Sequence, residues 1–109
     1  MNDRLAKLLS LFAADPDDTF VLYGIAQEHA KKGDHAKAIE FYDLTIVSDP
    51  DYCYAYFHKA QSQRALGDLK GARQTALEGV QSAHRVGDGK ALSELTNLQV
   101  ELAEEGNAG

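Results

Sequence analysis

Cysteine occurs once, at Cys53, so no disulfide can form within the chain. A reducing compartment, by default the cytoplasm, is the expectation. Basic residues are outnumbered, 11 against 17 acidic, and the formal net charge is −6. The basic footprint that nucleic acid demands is therefore missing, and attachment to an anionic membrane is disfavoured for the same reason. No apolar run reaches the roughly 18 residues of a membrane-spanning helix. The opening MNDRLAKLLSLFAAD lacks the basic start and small-residue cleavage site of a secretory signal. What is present is globular in balance, 44% hydrophobic and 26% charged, and 109 residues make one domain's worth of chain.

Proline is confined to Pro16 and Pro50, and their separation of 34 is the period of the whole middle of the chain. Laid over each other, 15–48 and 49–82 agree at nine positions. These are Asp15/Asp49, Pro16/Pro50, Asp17/Asp51, Ala26/Ala60, Gln27/Gln61, Gly33/Gly67, Asp34/Asp68, Ala38/Ala72 and Ser48/Ser82. Phe20/Tyr54, Tyr23/Phe57 and Ile46/Val80 are near matches.

Each unit reads as a helical hairpin. Pro16 and Pro50 cannot continue a preceding helix, and the aspartates beside them suit the N-cap of the next. First helices are predicted over 19–32 and 53–66. Gly33 and Gly67 can take the left-handed conformation that ends a helix, and Asp34 and Asp68 cap the following one. Ala38 and Ala72 then stand where two helices come close. Leu22, Ile25, Ala26 and His29 share one helical face, as do Ala38, Tyr42, Thr45 and Ile46. Leu5, Leu8, Leu9 and Phe12 make an amphipathic helix over 3–14. Leu92, Leu95, Leu98 and Leu102 make another over 90–105. The end, 106–109, holds nothing to bury and is expected to fray.

These units, FVLYGIAQEHAKKGDHAKAIEFYDLTIVSDP and YAYFHKAQSQRALGDLKGARQTALEGV, resemble the tetratricopeptide repeat family, whose unit is a 34-residue helix-turn-helix. The resemblance covers about 16–83, as repeats at 16–49 and 50–83. It implies an all-α fold, a short α-solenoid of antiparallel hairpins with about six helices, in one domain over 1–105. Three positions depart from the family pattern. His29 and Gln63 replace large aromatics, and Lys59 replaces a leucine-like residue while its stem can still pack. The second unit reaches His84 without a proline, so its second helix is expected to continue to Gly87-Asp88. Two hairpins are too few to cover themselves, and the helices over 3–14 and 90–105 are expected to act as caps. The small-residue stripe Ala72, Ala76, Gly79, Ala83 points to a close neighbour, the C-terminal helix.

Catalytic and metal chemistry find no anchor. His29, His35, His58 and His84 form no i, i+4 pair, and there is no cysteine cluster or HExxH. His29 reads as a core or half-buried residue and the other three as surface. Cys53 lies off the helical face of His58 and reads as a small buried hydrophobe. The acidic clusters at 15–18 and 101–105 read as capping and as a solvated helix end. No catalytic residue, metal ligand or cofactor is assigned.

An aromatic and amide stripe remains. Phe20, Tyr23, Gly24, Gln27 and Lys31 form a second face of the first repeat's first helix. Tyr54, Phe57, His58, Gln61 and Arg64 form its counterpart in the second repeat. Among tetratricopeptide repeats, the resemblance makes this the concave peptide-binding face. The Lys, Asn and Arg that clamp a C-terminal carboxylate in some members are replaced by Tyr23, Gln27, Tyr54 and His58. An apolar and hydrogen-bonding peptide is therefore expected, with Tyr23 and Phe57 exposed and close together. Lys31, His58 and Arg64 are expected to form a positive rim that favours acidic or C-terminal peptide groups. The expected function is non-catalytic protein binding by a monomer or weak homodimer, with structural self-association as the alternative.

Overall fold

Gly33 and Gly67 both have φ of +82°, the left-handed region that glycine enters without a Cβ penalty. The chain reverses there, and the next residue caps the next helix. Asp34 accepts a hydrogen bond from the Lys37 N–H at 3.2 Å, and Asp68 from Gly71 N–H at 2.9 Å. In the computed structural model, which describes residues 3–107, these turns separate six helices. They are α1 (Asp3–Ala14), α2 (Thr19–Lys31), α3 (His35–Ser48), α4 (Cys53–Ala65), α5 (Leu69–Val86) and α6 (Gly89–Asn107). No strand occurs among the described residues.

Asp18 caps α2, accepting from the Val21 N–H. Its counterpart at the head of α4 is Tyr52, which makes no side-chain cap, so the expected second aspartate cap is corrected. Asp51 turns outward to Arg85 instead, at 2.8 Å. The matched serines close each unit on its own beginning. Ser48 donates to the carbonyl of Asp17 at 2.9 Å, and Ser82 to that of Pro50 at 3.1 Å. The Pro50 carbonyl also accepts from the Tyr56 hydroxyl at 2.7 Å. As α5 has no proline to stop it, it runs on to Gly87, whose φ of +74° ends it. At the far end α6 continues through Asn107, two residues beyond the expected limit. The last two residues of the expected tail, 108 and 109, lie outside the described residues.

Within each repeat the two helices pack on each other, and α3 packs on α4, α5 on α6 and α1 on α2. Across repeats α2 touches α4, and α4 touches α6. This makes an inner row of α2, α4 and α6 backed by α3 and α5. The extents of 43 × 31 × 18 Å describe a slab and not a sphere, as side-by-side stacking requires.

The core has two chemical halves. Leu5, Leu8, Val21, Leu22, Ile25, Phe41 and Tyr42 fill the first. Leu9, expected with them, is exposed, because Leu5 and Leu8 already occupy the contact with α2. Arg4 ties α1 further to α2 through the buried Glu28 carboxylate at 3.2 Å. The second half is built from Ala60, Ala72, Ala76, Ala83 and Ala91 against Leu95, Leu98 and Leu102. Polar contacts join the halves beside the aromatic ones. Lys59 Nζ reaches Asp43 at 2.7 Å, and His35 Nδ1 lies 3.0 Å from Ser62 Oγ.

Candidate functional site

The inner row carries a line of rings and amides because successive first helices present the same two faces. One face, with Ile25, Ala26 and Ala60, is buried in the core. The other bears Tyr23 and Gln27 on α2 and Tyr54, Phe57, His58 and Gln61 on α4, all half-buried. Tyr23 and Phe57 are thus less exposed than the sequence suggests. Tyr23 lies 4.8 Å from the Tyr52 ring and 5.9 Å from His58, centroid to centroid. His58 separates it from Phe57, which stands 5.2 Å from the imidazole at 83°.

His58 is the hub. Tyr23, Tyr42, Tyr54 and Phe57 all have rings within 6.5 Å of it. Burial among them lowers its pKa, against a smaller opposing pull from Glu94. Its half-buried place among these rings corrects its assignment as a surface residue. His35 is also half-buried, since Ser62 holds it. Tyr42 donates its hydroxyl to Gln27 Oε1, which holds that amide in place. Phe20 stands apart from this array, 65% exposed at the head of α2.

The expected positive rim is absent. Lys31 is paired with Glu28 at 3.1 Å. Arg64 is held by Glu101 at 3.2 Å and Glu105 at 3.0 Å, both on α6, and reaches Gln61 Oε1. Two carboxylates on one guanidinium leave a net negative charge. A third α6 carboxylate, Glu94, accepts a hydrogen bond from Tyr54 and pushes its phenol pKa up to about 12. The face is neutral in its centre and acidic toward α6.

Three clefts succeed one another along the inner row. A cleft of about 300 Å³ lies between Gln27, Lys31, Tyr42, His58 and Gln61. One of about 230 Å³ lies between Phe57, Gln61, Glu94, Asn97 and Glu101. A third, of about 360 Å³, opens at Tyr23, Tyr52 and Tyr54. A larger hollow, about 560 Å³, is an open shelf along α5 on the backing row. It carries no comparable set of aromatic rings. The α6 wall is not among the sequence-based expectations, although Glu94, Asn97 and Glu101 share one helical face away from the leucine row. Tyr52 lies in a turn, where periodicity gives no signal. Among the described residues no group of three or more His, Cys, Asp or Glu is arranged to hold a metal ion.

Over 96 residues, 88% of this chain and 89% of the relative, the sequence is 30% identical to the TPR repeat-containing protein PA0015 of Pseudomonas aeruginosa. The chain belongs to the tetratricopeptide repeat family. No protein-family profile matches it. The solution structure of a tetratricopeptide repeat domain protein from Salinibacter ruber is similar at TM-score 0.75 and 32% identity, over 81% of this chain and 89% of that one. The TPR2B domain of yeast Sti1, determined in a complex with pHsp70, shares the fold at TM-score 0.87 and 22% identity, over 93% and 81%. In this tetratricopeptide repeat chain α6 takes the inner-row place that the first helix of a third repeat would fill.

Proposed function

We propose that the chain is a non-catalytic protein-interaction module, an adaptor or scaffold, that holds a segment of a partner protein on the concave face of α2, α4 and α6. The contact set is Phe20, Tyr23, Gln27, Lys31, Tyr54, Phe57, His58, Gln61 and Arg64. The carrying observation is the run of three clefts along one face, walled by half-buried rings and side-chain amides. Rings that are already held in place lose little entropy on binding and serve as anchors. Gln27 and Gln61 can pair with the backbone of an extended segment. Membership of a family with a partner-bound relative, the yeast domain with pHsp70, supports the same reading. Placement in the cytoplasm belongs to this proposal; no helix among the described residues is long and apolar enough to cross a membrane.

Peptides selected from a displayed random library against the full chain test it. Phe57→Ala and Gln61→Ala should each weaken the selected peptides at least fivefold, the effect of losing roughly 1 kcal/mol. Leu77→Ala, on the backing helix α5, should leave them unchanged. Peptides that are indifferent to both concave-face changes would remove the reading.

Self-association has one observation in its favour. Val47 is 80% exposed on α3 beside Leu44, along an open cleft of about 480 Å³ that reaches Pro16. Light scattering at several concentrations, with Val47→Asp beside the unaltered chain, separates a dimer on this face from a monomer.

A further inference from the structure

The turn between the repeats brings Tyr52 to one end of the concave face, beside the start of α6. A pocket of about 360 Å³ opens there, lined by Tyr23, Tyr52 and Tyr54 together with Val86, Asp51 and Asp88. All three rings are half-buried, so each keeps part of its surface open to a ligand. Their phenols stay protonated. Burial raises the pKa of Tyr23 and Tyr52, and the hydrogen bond to Glu94 raises that of Tyr54. Neutral tyrosine rings present the negative face of their quadrupole.

The charges around the rings have one sign left over. Asp51 is engaged by Arg85 at 2.8 Å, and Arg85 also donates to the Pro50 carbonyl, so that pair cancels. Asp88 accepts from the Ala91 N–H at 3.0 Å, which caps α6, and among the described residues no cation is paired with it. Glu94 is bonded to the Tyr54 hydroxyl, a neutral partner. The other cations of the face, Lys31 and Arg64, are committed to glutamates elsewhere. Ring faces beside carboxylates without a counter-charge favour a cation and repel an acidic peptide.

We propose that this pocket receives a cationic side chain, an arginine of the partner segment, stacked on the tyrosine rings beside Asp88. A guanidinium matches better than an ammonium because it is planar, more weakly hydrated and able to stack while donating to a carboxylate. Its methylene stem can lie against Val86 and the ring edges. The identity of the ligand as part of a peptide rests on the concave-face reading. The pocket itself does not, and a small probe tests it separately.

The 15N-labelled full chain is titrated with N-acetyl-arginine amide and with N-acetyl-citrulline amide, its neutral near-isostere. Arginine should give saturable shifts at the Tyr52, Tyr54 and Asp88 amides, with at least fivefold tighter binding than citrulline. Asp88→Asn keeps the helix cap, since asparagine caps as well as aspartate, and should lose most of that preference. Tyr52→Leu keeps bulk without a ring face and should weaken arginine at least threefold. Equal binding of the two probes, shifts confined to another part of the face, or no saturation overturns the proposal. So does an Asp88→Asn chain that binds arginine as before. If either variant fails to fold, the comparison of the two probes on the unaltered chain decides. Arginine binding with no selectable peptide would sink only the concave-face reading, and peptide binding without arginine preference would sink only the pocket.

Discussion

A Cβ on Gly79 would stand 2.7 Å from Leu95 Cδ2 and 2.8 Å from Tyr56 Cβ. The α5 backbone is therefore pressed against both α4 and α6, and the glycine is there because no side chain fits. Alanine would gain about 1 kcal/mol of helix propensity, but overpacking costs about 1–3 kcal/mol. Tyr56 Cβ is fixed to its own backbone and cannot step aside. Gly79→Ala should therefore lower stability by up to about 2 kcal/mol in chemical denaturation. A more stable variant would show that α6 is free to shift.

Leu95 and Leu98 sit on the other side of that contact, 0% and 2% exposed. They meet alanines, which cannot spread to refill a cavity. Leu95→Ala and Leu98→Ala should each cost about 2–5 kcal/mol, a large share of a typical domain's stability of about 5–15 kcal/mol. An unchanged melting transition in both would mean that α6 is docked without contributing to the core.

Histidine burial predicts a loss of stability on acidification. His29 and His58 both have lowered pKa values, chiefly from desolvation, with Asp34 and Glu94 opposing in part. The unfolded chain then takes up protons first as pH falls. The stability contribution is complete above the usual histidine value of about 6.5 and is lost as pH falls from there through the folded-state values. His29 also has a buried Nδ1 without a hydrogen bond, 3.9 Å from Asp34, and its ring stacks on Phe41. His29→Phe should gain about 1 kcal/mol and flatten the fall in melting temperature between pH 7 and pH 5. A steeper fall in the variant would contradict the assignment.

The Lys59–Asp43 pair gives an asymmetric outcome. Lys59 has a side chain only 19% exposed, whereas Asp43 is 50% exposed. Asp43→Asn strands a half-buried ammonium and should cost roughly 1–3 kcal/mol, while Lys59→Leu removes the charge and should change stability by less than about 1 kcal/mol. Urea titration of both variants reads the order directly, and the reverse order would place the ammonium in water.

Much of the architecture could be read along the chain because its signals are local. Gly33 and Gly67 adopt φ of +82°, Asp34 and Asp68 cap the helices after them, and small residues at 38 and 72 mark close approach. Each constraint acts within a few residues, so spacing alone locates it. The small stripe ending at Ala83 likewise points to a tight neighbour, since a glycine inside a helix implies something pressing on it. The aromatic stripe is legible as a face, but not as a set of contacts.

The sequence by itself determined the helices, their turns, the period of 34 and the pairing of small residues with the leucine row. Those arise from backbone preference and from periodicity along one helix. Only the tertiary structure decided the electrostatics of the concave face. Arg64 reads as a free cation until α6 folds back and delivers Glu101 and Glu105, 37 and 41 residues away. Lys31 shares the Glu28 carboxylate with Arg4 of α1, and burial among the surrounding rings lowers the His58 pKa. Tyr52 and Asp88 meet at one pocket only because separate turns end on the same side of the slab. Charge and ligand chemistry depend on distances between helices, and those distances arise from how the helices stack.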